Sequence, residues 1–153
     1  MPDSSPFKYA AANDSIGFLL WKITALWREK LAQVLDAFNI TQTQYAILAS
    51  LRWFEEKGAP TTQTHIGAHA KIDKMTVSKA VRKLEKIGLV QRERSSSDSR
   101  ATYVQFTAEG KEAVAKAIEA VENADEEFFA CLSEDQRAQY RFLSLAAISG
   151  NSK

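Results

Sequence analysis

The stretch Asp73-Lys74-Met75-Thr76-Val77-Ser78-Lys79-Ala80-Val81-Arg82-Lys83-Leu84-Glu85-Lys86-Ile87-Gly88-Leu89-Val90 decides how this chain is read. Asp73 carries a short acceptor side chain of the kind that closes the first turn of a helix. Val77, Ala80, Val81, Leu84 and Ile87 follow at steps of three and four and make one apolar face. Lys74, Met75, Thr76, Ser78, Lys79 and Arg82 fall outside it. Gly88 ends the helix. Residues 89–94 and 101–106 then read as two strands, the second alternating Thr102, Val104 and Phe106 on one face. Ser95-Ser96-Ser97-Asp98-Ser99-Arg100 joins them as a polar hairpin loop.

Upstream, Thr62 caps a short helix carrying Ile66 and Ala70. Before it, Thr41 and Gln44 have the spacing of a capping box, and the helix they open holds Tyr45, Leu48 and Leu51 until Gly58-Ala59-Pro60 stops it. A long helix precedes that one. It begins at Asp14, with Ile16, Leu20, Ile23, Trp27, Leu31, Val34 and Phe38 as its stripe. Residues 1–12 read as an arm. Downstream, Thr107 caps a second long helix with Val114, Ile118, Val121, Phe128 and Leu132. Ser133 and Gln136 open a last helix with Tyr140, Leu143 and Ala147 on one side, and residues 150–153 are expected to fray.

The order helix, short turn, helix, hairpin with a basic tip is a winged helix-turn-helix. The fold class expected is mainly α with a small β-hairpin wing. Residues 1–40 form an N-terminal arm and dimerisation helix, 41–106 the DNA-binding module, and 107–153 the C-terminal dimerisation helices. Charge supports the assignment. Between Thr62 and Phe106 nine basic residues face four acidic ones, a net +5, while the rest of the chain carries −4. A basic module in an acidic frame attracts a polyanion even though the whole chain is only +1. The helix from Asp73 suits a major groove. Lys79 and Arg82 suit phosphates, Thr76 and Ser78 suit base edges, and Arg94 adds to the basic wing. Arg100 suits a narrow minor groove, with Asp98 pairing to fix its approach.

The remaining composition narrows the classes. With 153 residues, 45% of them apolar, the chain can bury a core as one domain or two small modules. No run of 18 apolar residues marks a membrane span, and Met1-Pro2-Asp3-Ser4-Ser5-Pro6 does not open a secretory signal. Cys131 is alone, so no internal disulfide or cysteine-rich metal site forms. No phosphate loop, metal triad or paired nucleophile and base is present. These features predict a cytoplasmic protein that is not an enzyme and needs no cofactor or metal.

Residues 73–90 resemble the recognition helix and first wing strand of the multiple-antibiotic-resistance-regulator (MarR) family. Asp98-Ser99-Arg100 and Phe106-Thr107-Ala108-Glu109-Gly110 are similar to its wing signature and next helix start. Ile40-Thr41-Gln42-Thr43-Gln44-Tyr45 through Leu48 is similar to its second helix. Gly67 and Lys71 depart from the pattern, standing where an alanine and a turn glycine are common, so a looser turn is expected. The resemblance implies a homodimeric, sequence-specific transcription regulator, expected to be a repressor, on double-stranded DNA with a pseudo-palindromic operator. It implies release by a small aromatic or anionic effector. Phe7, Phe128, Phe129, Tyr140, Phe142 and Leu145 are the interface candidates. Independently, the helical ends carry more apolar surface than a soluble monomer exposes.

Other features admit two readings. Trp21, Tyr45, Arg52 and Trp53 line an effector pocket or fill ordinary core, with Arg52 available to a carboxylate. His65 and His69 have the four-residue spacing of metal ligands but lack a third, which leaves exposed imidazoles near phosphate. Cys131 reads as a buried structural thiol, with a redox switch as the rival. For the whole chain, the alternatives are a general architectural DNA binder and a winged-helix protein-interaction module.

Overall fold

The computed structural model describes residues 4–98 and 100–152. A 3-10 turn at Ala12–Asp14 leads into six α-helices and a small sheet: α1 (Ile16–Asp36), α2 (Gln42–Glu56), β1 (Thr61–Thr62), α3 (Gln63–Ala70), α4 (Lys74–Lys86), β2 (Val90–Arg94), β3 (Thr102–Phe106), α5 (Ala108–Phe128) and α6 (Glu134–Asn151). Every α-helix starts on a hydroxyl or carboxylate. Ser15, Thr41, Thr62, Asp73, Thr107 and Ser133 each accept the backbone N–H three residues on. Such a cap contributes about 1 kcal/mol and fixes where the helix begins. Thr41–Gln44 and Ser133–Gln136 are reciprocal capping boxes, as their spacing predicts. The first long helix opens at Ile16 rather than at Asp14, because Ser15 holds its first turn while Asp14 accepts from the Ala11 N–H at 3.2 Å.

The sheet has a third strand that the sequence reading lacks. β1 pairs antiparallel with β3, Thr61 opposite Val104 and Thr62 opposite Tyr103, and β3 lies between β1 and β2. Two residues are too few to show a period of two, and Thr62 is already legible as a helix cap. β1 ties the start of α3 to the wing.

One core cluster fills the space between α2, α3, α4, the sheet and the start of α5. Ile47, Leu48, Ile66, Val77, Val81, Leu84, Val90, Val104 and Val114 are its most buried members. Ile87, expected on the inner face of α4, caps that helix and is exposed, since the chain turns away at Gly88. A smaller cluster joins α1 to α5 through Leu31, Leu35 and Val121. Trp27 Nε1 donates to Asp125 at 2.7 Å and Lys30 pairs with Glu127 at 2.7 Å. Toward its N-terminus α1 is uncovered: Ile16, Leu20 and Trp21 are exposed. So are Tyr140, Leu143 and Ala147, the stripe of α6, which has no buried residue along its length and continues to Asn151 where fraying was expected. Among the described residues no helix is long and apolar enough to cross a membrane.

Candidate nucleic-acid interface

The turn between α3 and α4 is tight. Lys71 takes the left-handed conformation at φ +56°, and the Ile72 N–H donates to the Gly67 carbonyl at 3.0 Å. The expected loosening does not occur, because the two departures have different consequences. Lys71 accepts a backbone conformation that glycine adopts at lower cost. Gly67 is demanded by packing: a Cβ there would lie 2.9 Å from the Ile72 carbonyl oxygen and 3.3 Å from a Val77 methyl.

Asp73 sets the entry of α4. One carboxylate oxygen accepts the Thr76 N–H at 2.9 Å, and the other accepts the Thr76 hydroxyl at 2.6 Å. The hydroxyl bond is the main reason the Asp73 carboxyl titrates below its ordinary value. The Thr76 hydroxyl proton is therefore already engaged, which removes the donor that base reading was expected to use. With Val77, Ala80, Val81 and Leu84 turned into the core, Met75, Ser78, Lys79 and Arg82 form a stripe along the opposite face. Lys74, Met75, Lys79 and Arg82 are exposed, and Thr76 and Ser78 are half-buried. Among the described residues, none of Lys74, Lys79, Arg82, Arg94 and Arg100 is ion-paired.

Arg92 is the exception in the basic module, and the sequence reading did not single it out. The Glu85 carboxylate receives the Arg92 backbone N–H at 3.0 Å, its Nε at 3.1 Å and its terminal guanidinium nitrogen at 3.0 Å. These bonds hold the Glu85 carboxyl below its ordinary 4.5 and strap the last turn of α4 to the first wing strand. Opposite charges seven residues apart across Gly88 were the available signal.

The wing tip organises itself. Ser95 Oγ accepts the N–H groups of Ser97 and Asp98, each at 3.2 Å, and Asp98 Oδ1 accepts the Arg100 N–H at 3.0 Å. Asp98 thus fixes Arg100 through its backbone, not through the expected side-chain pairing, and the exposed guanidinium has no ion-pair partner among the described residues. Ser99 lies outside the described residues. The wing's root is also bonded, with the Thr107 hydroxyl donating to the Gly88 carbonyl at 2.6 Å and the Thr107 N–H to the Leu89 carbonyl at 3.1 Å. A Cβ on Gly110 would come within 1.8 Å of that Leu89 oxygen.

The family model described as the ArnR1-like, winged-helix domain matches residues 36–124. An HTH-type transcriptional regulator of Bacillus subtilis, YdcH, is 35% identical over 123 residues, covering 80% of this chain and 84% of that one. This chain belongs to the winged-helix transcriptional regulators. A transcriptional repressor of Mycobacterium tuberculosis, Rv2887, is 25% identical to the regulator over 82% of this chain and 88% of its own. Among solved structures, a MarR-family regulator from Rhodococcus sp. RHA1 superposes with a TM-score of 0.81 at 23% identity, covering 94% of this chain and 99% of that one. The DNA complex of S. aureus MepR gives 0.79 at 24%, covering 89% and 98%. Bordetella bronchiseptica BpsR, solved to explain how 6-hydroxynicotinic acid regulates its DNA binding, gives 0.77 at 21%, covering 88% and 98%. The fold is that of these MarR-family structures, and the family is one of DNA-binding transcriptional regulators.

Other expected site residues fall elsewhere. The four effector-pocket candidates do not converge. Tyr45 packs against the α1–α5 cluster, where burial and the carboxylates of Asp125 and Glu122 push its hydroxyl up to about 12. Arg52 is paired with Glu55 and Glu56 of its own helix, and Trp53 lies exposed under Lys57. The groove lined by Trp21, with Leu20, Thr24 and Arg28, contains none of the other three. His65 and His69 are exposed and pack on Phe54, with ring centroids 6.3 and 5.1 Å away. No group of three metal-ligating side chains occurs among the described residues. Cys131 is exposed rather than buried, because the chain between α5 and α6 turns at the surface, and its thiol lies 3.7 Å from the Phe128 carbonyl.

Proposed function

We propose that the regulator is a cytoplasmic, homodimeric, sequence-specific repressor whose two α4 helices enter successive major grooves of a pseudo-palindromic operator. The observation that carries this reading is the outer face of α4. It is cationic, unpaired and exposed, while the helix behind it is anchored at Asp73 and Glu85. Lys74, Met75 and Ser78 face the bases, beside Thr76 with only its acceptor capacity left, and Lys79 and Arg82 hold phosphates. Arg94 supports the wing's approach, and Asp98 presents Arg100 to the minor groove.

A second subunit is supported by what the first leaves open. Phe7 is 82% exposed, Phe142 71% and Leu145 60%, and the N-terminal half of α1 is also uncovered. Tyr140 is exposed as well. Phe128 and Phe129 are partly occupied within the chain, stacking edge-on at 5.0 Å, with Tyr140 5.6 Å from Phe129. Two copies place two α4 helices about 10–10.5 base pairs apart or a multiple of it. Release by a small aromatic or anionic molecule is supported by the related BpsR structure. The test is selection of bound duplexes from a random pool, with footprinting and sizing of the complex. Two-fold-symmetric protection by a dimer is expected. Protection without symmetry, or binding that ignores sequence, would overturn the reading.

A further inference from the structure

Met75 is the one apolar side chain on the outer stripe of α4, and it is 70% exposed. Single exposed apolar residues are common and by themselves mean little. This one sits in the first turn of a helix whose exposed neighbours, Lys74 and Lys79, are cationic. A surface that is cationic and apolar at once matches few partners. In the major groove of a duplex the base edges offer one apolar group, the thymine 5-methyl. The adjoining Thr76 has its hydroxyl proton engaged by Asp73 at 2.6 Å, so this turn is short of neutral donors for a base edge. What it has in surplus is apolar contact, and an unbranched thioether adapts to a methyl group with little strain.

We propose that Met75 is a specificity-determining residue that reads a thymine methyl, so that each operator half-site carries a T·A pair facing it. This rests on the reading that α4 enters the major groove. The test uses the full-length dimer and the operator recovered by selection. Each thymine of a half-site is replaced singly by uracil, which removes the methyl and leaves base pairing intact.

At one position per half-site the replacement is expected to weaken wild-type binding about fourfold, the value of one buried methyl-sized group. Met75→Ala and the similarly long Met75→Gln are expected to bind methylated and unmethylated sites equally, with unchanged helicity. Indifference of the wild type to every replacement would overturn the proposal. So would Met75→Ala retaining the discrimination. Lys79→Ala and Arg82→Ala separate the two levels. If they weaken binding while uracil has no effect, only the methyl reading falls. If neither matters, α4 is not in the groove and both readings fall.

Discussion

The winged module and the helical ends both carry apolar helix faces but finish differently. Around α2, α3, α4 and the sheet, the apolar side chains meet one another, and Ile47, Val77, Val81 and Leu84 are sealed from solvent. In α6 and the first half of α1 most stay open to solvent: Phe142, Leu143, Leu145, Ile148, Ile16 and Trp21 are all exposed. The two regions use the same helical periodicity. The difference is that the module closes its core within one chain, whereas the ends leave their apolar faces uncovered. Local sequence writes apolar helix faces in both cases, and topology decides whether the chain itself can cover them.

That contrast can be broken from either side. Phe142→Asp with Leu145→Asp is expected to give a folded monomer on light scattering. Its affinity for a two-half-site operator should fall by about 10²–10⁴, because the second module no longer binds at high effective concentration. Leu84→Ala attacks the closed core instead. It should lower stability by about 2–5 kcal/mol in urea unfolding whether or not the dimer is intact.

Next in size is the Glu85–Arg92 strap. Glu85→Gln should reduce operator affinity about tenfold with little change in helicity. Fluorescence anisotropy against circular dichroism separates the two. The same carboxyl gives a pH signature. Because its folded value lies below 4.5, its contribution is complete above 4.5 and is lost as the pH falls through the lowered folded value. Glu85→Gln should therefore flatten the acid limb of the stability profile. Smallest is Lys71→Gly, expected to raise stability by about 0.5–1 kcal/mol by relieving the positive φ, read as a shift in thermal midpoint.

Much of this was legible in advance because it depends on neighbours in sequence. Caps at Thr41, Thr62, Asp73, Thr107 and Ser133 sit three residues from the N–H groups they bind, and the second wing strand follows from alternation. The missing parts depend on approach through space. β1 exists only because β3 lies beside it. Glu85 and Arg92 become a strap only when the chain reverses at Gly88. The burial expected of Cys131 failed because the turn between α5 and α6 leaves it at the surface, and the pairing of Arg52 was not legible because it depends on which carboxylates share its helix face. The outer face of α4 was readable as a surface, but the capture of the Thr76 hydroxyl by Asp73 was not.

The junction at Thr107 makes α5 a lever. Its first turn is seated on the Leu89 backbone with no room for even a methyl group at Gly110, and its far end is bonded to α1 through Asp125 and Glu127. Twenty-one residues give an arm about 32 Å long. Pivoting such an arm by about 5° displaces its tip by about 3 Å, close to the 3.4 Å rise between base pairs. In the proposed dimer, a modest tilt of α5 about its α1 end thus arrives at the wing as a misregistration of nearly one step along the duplex, with no slack at the seat on Leu89 to absorb it.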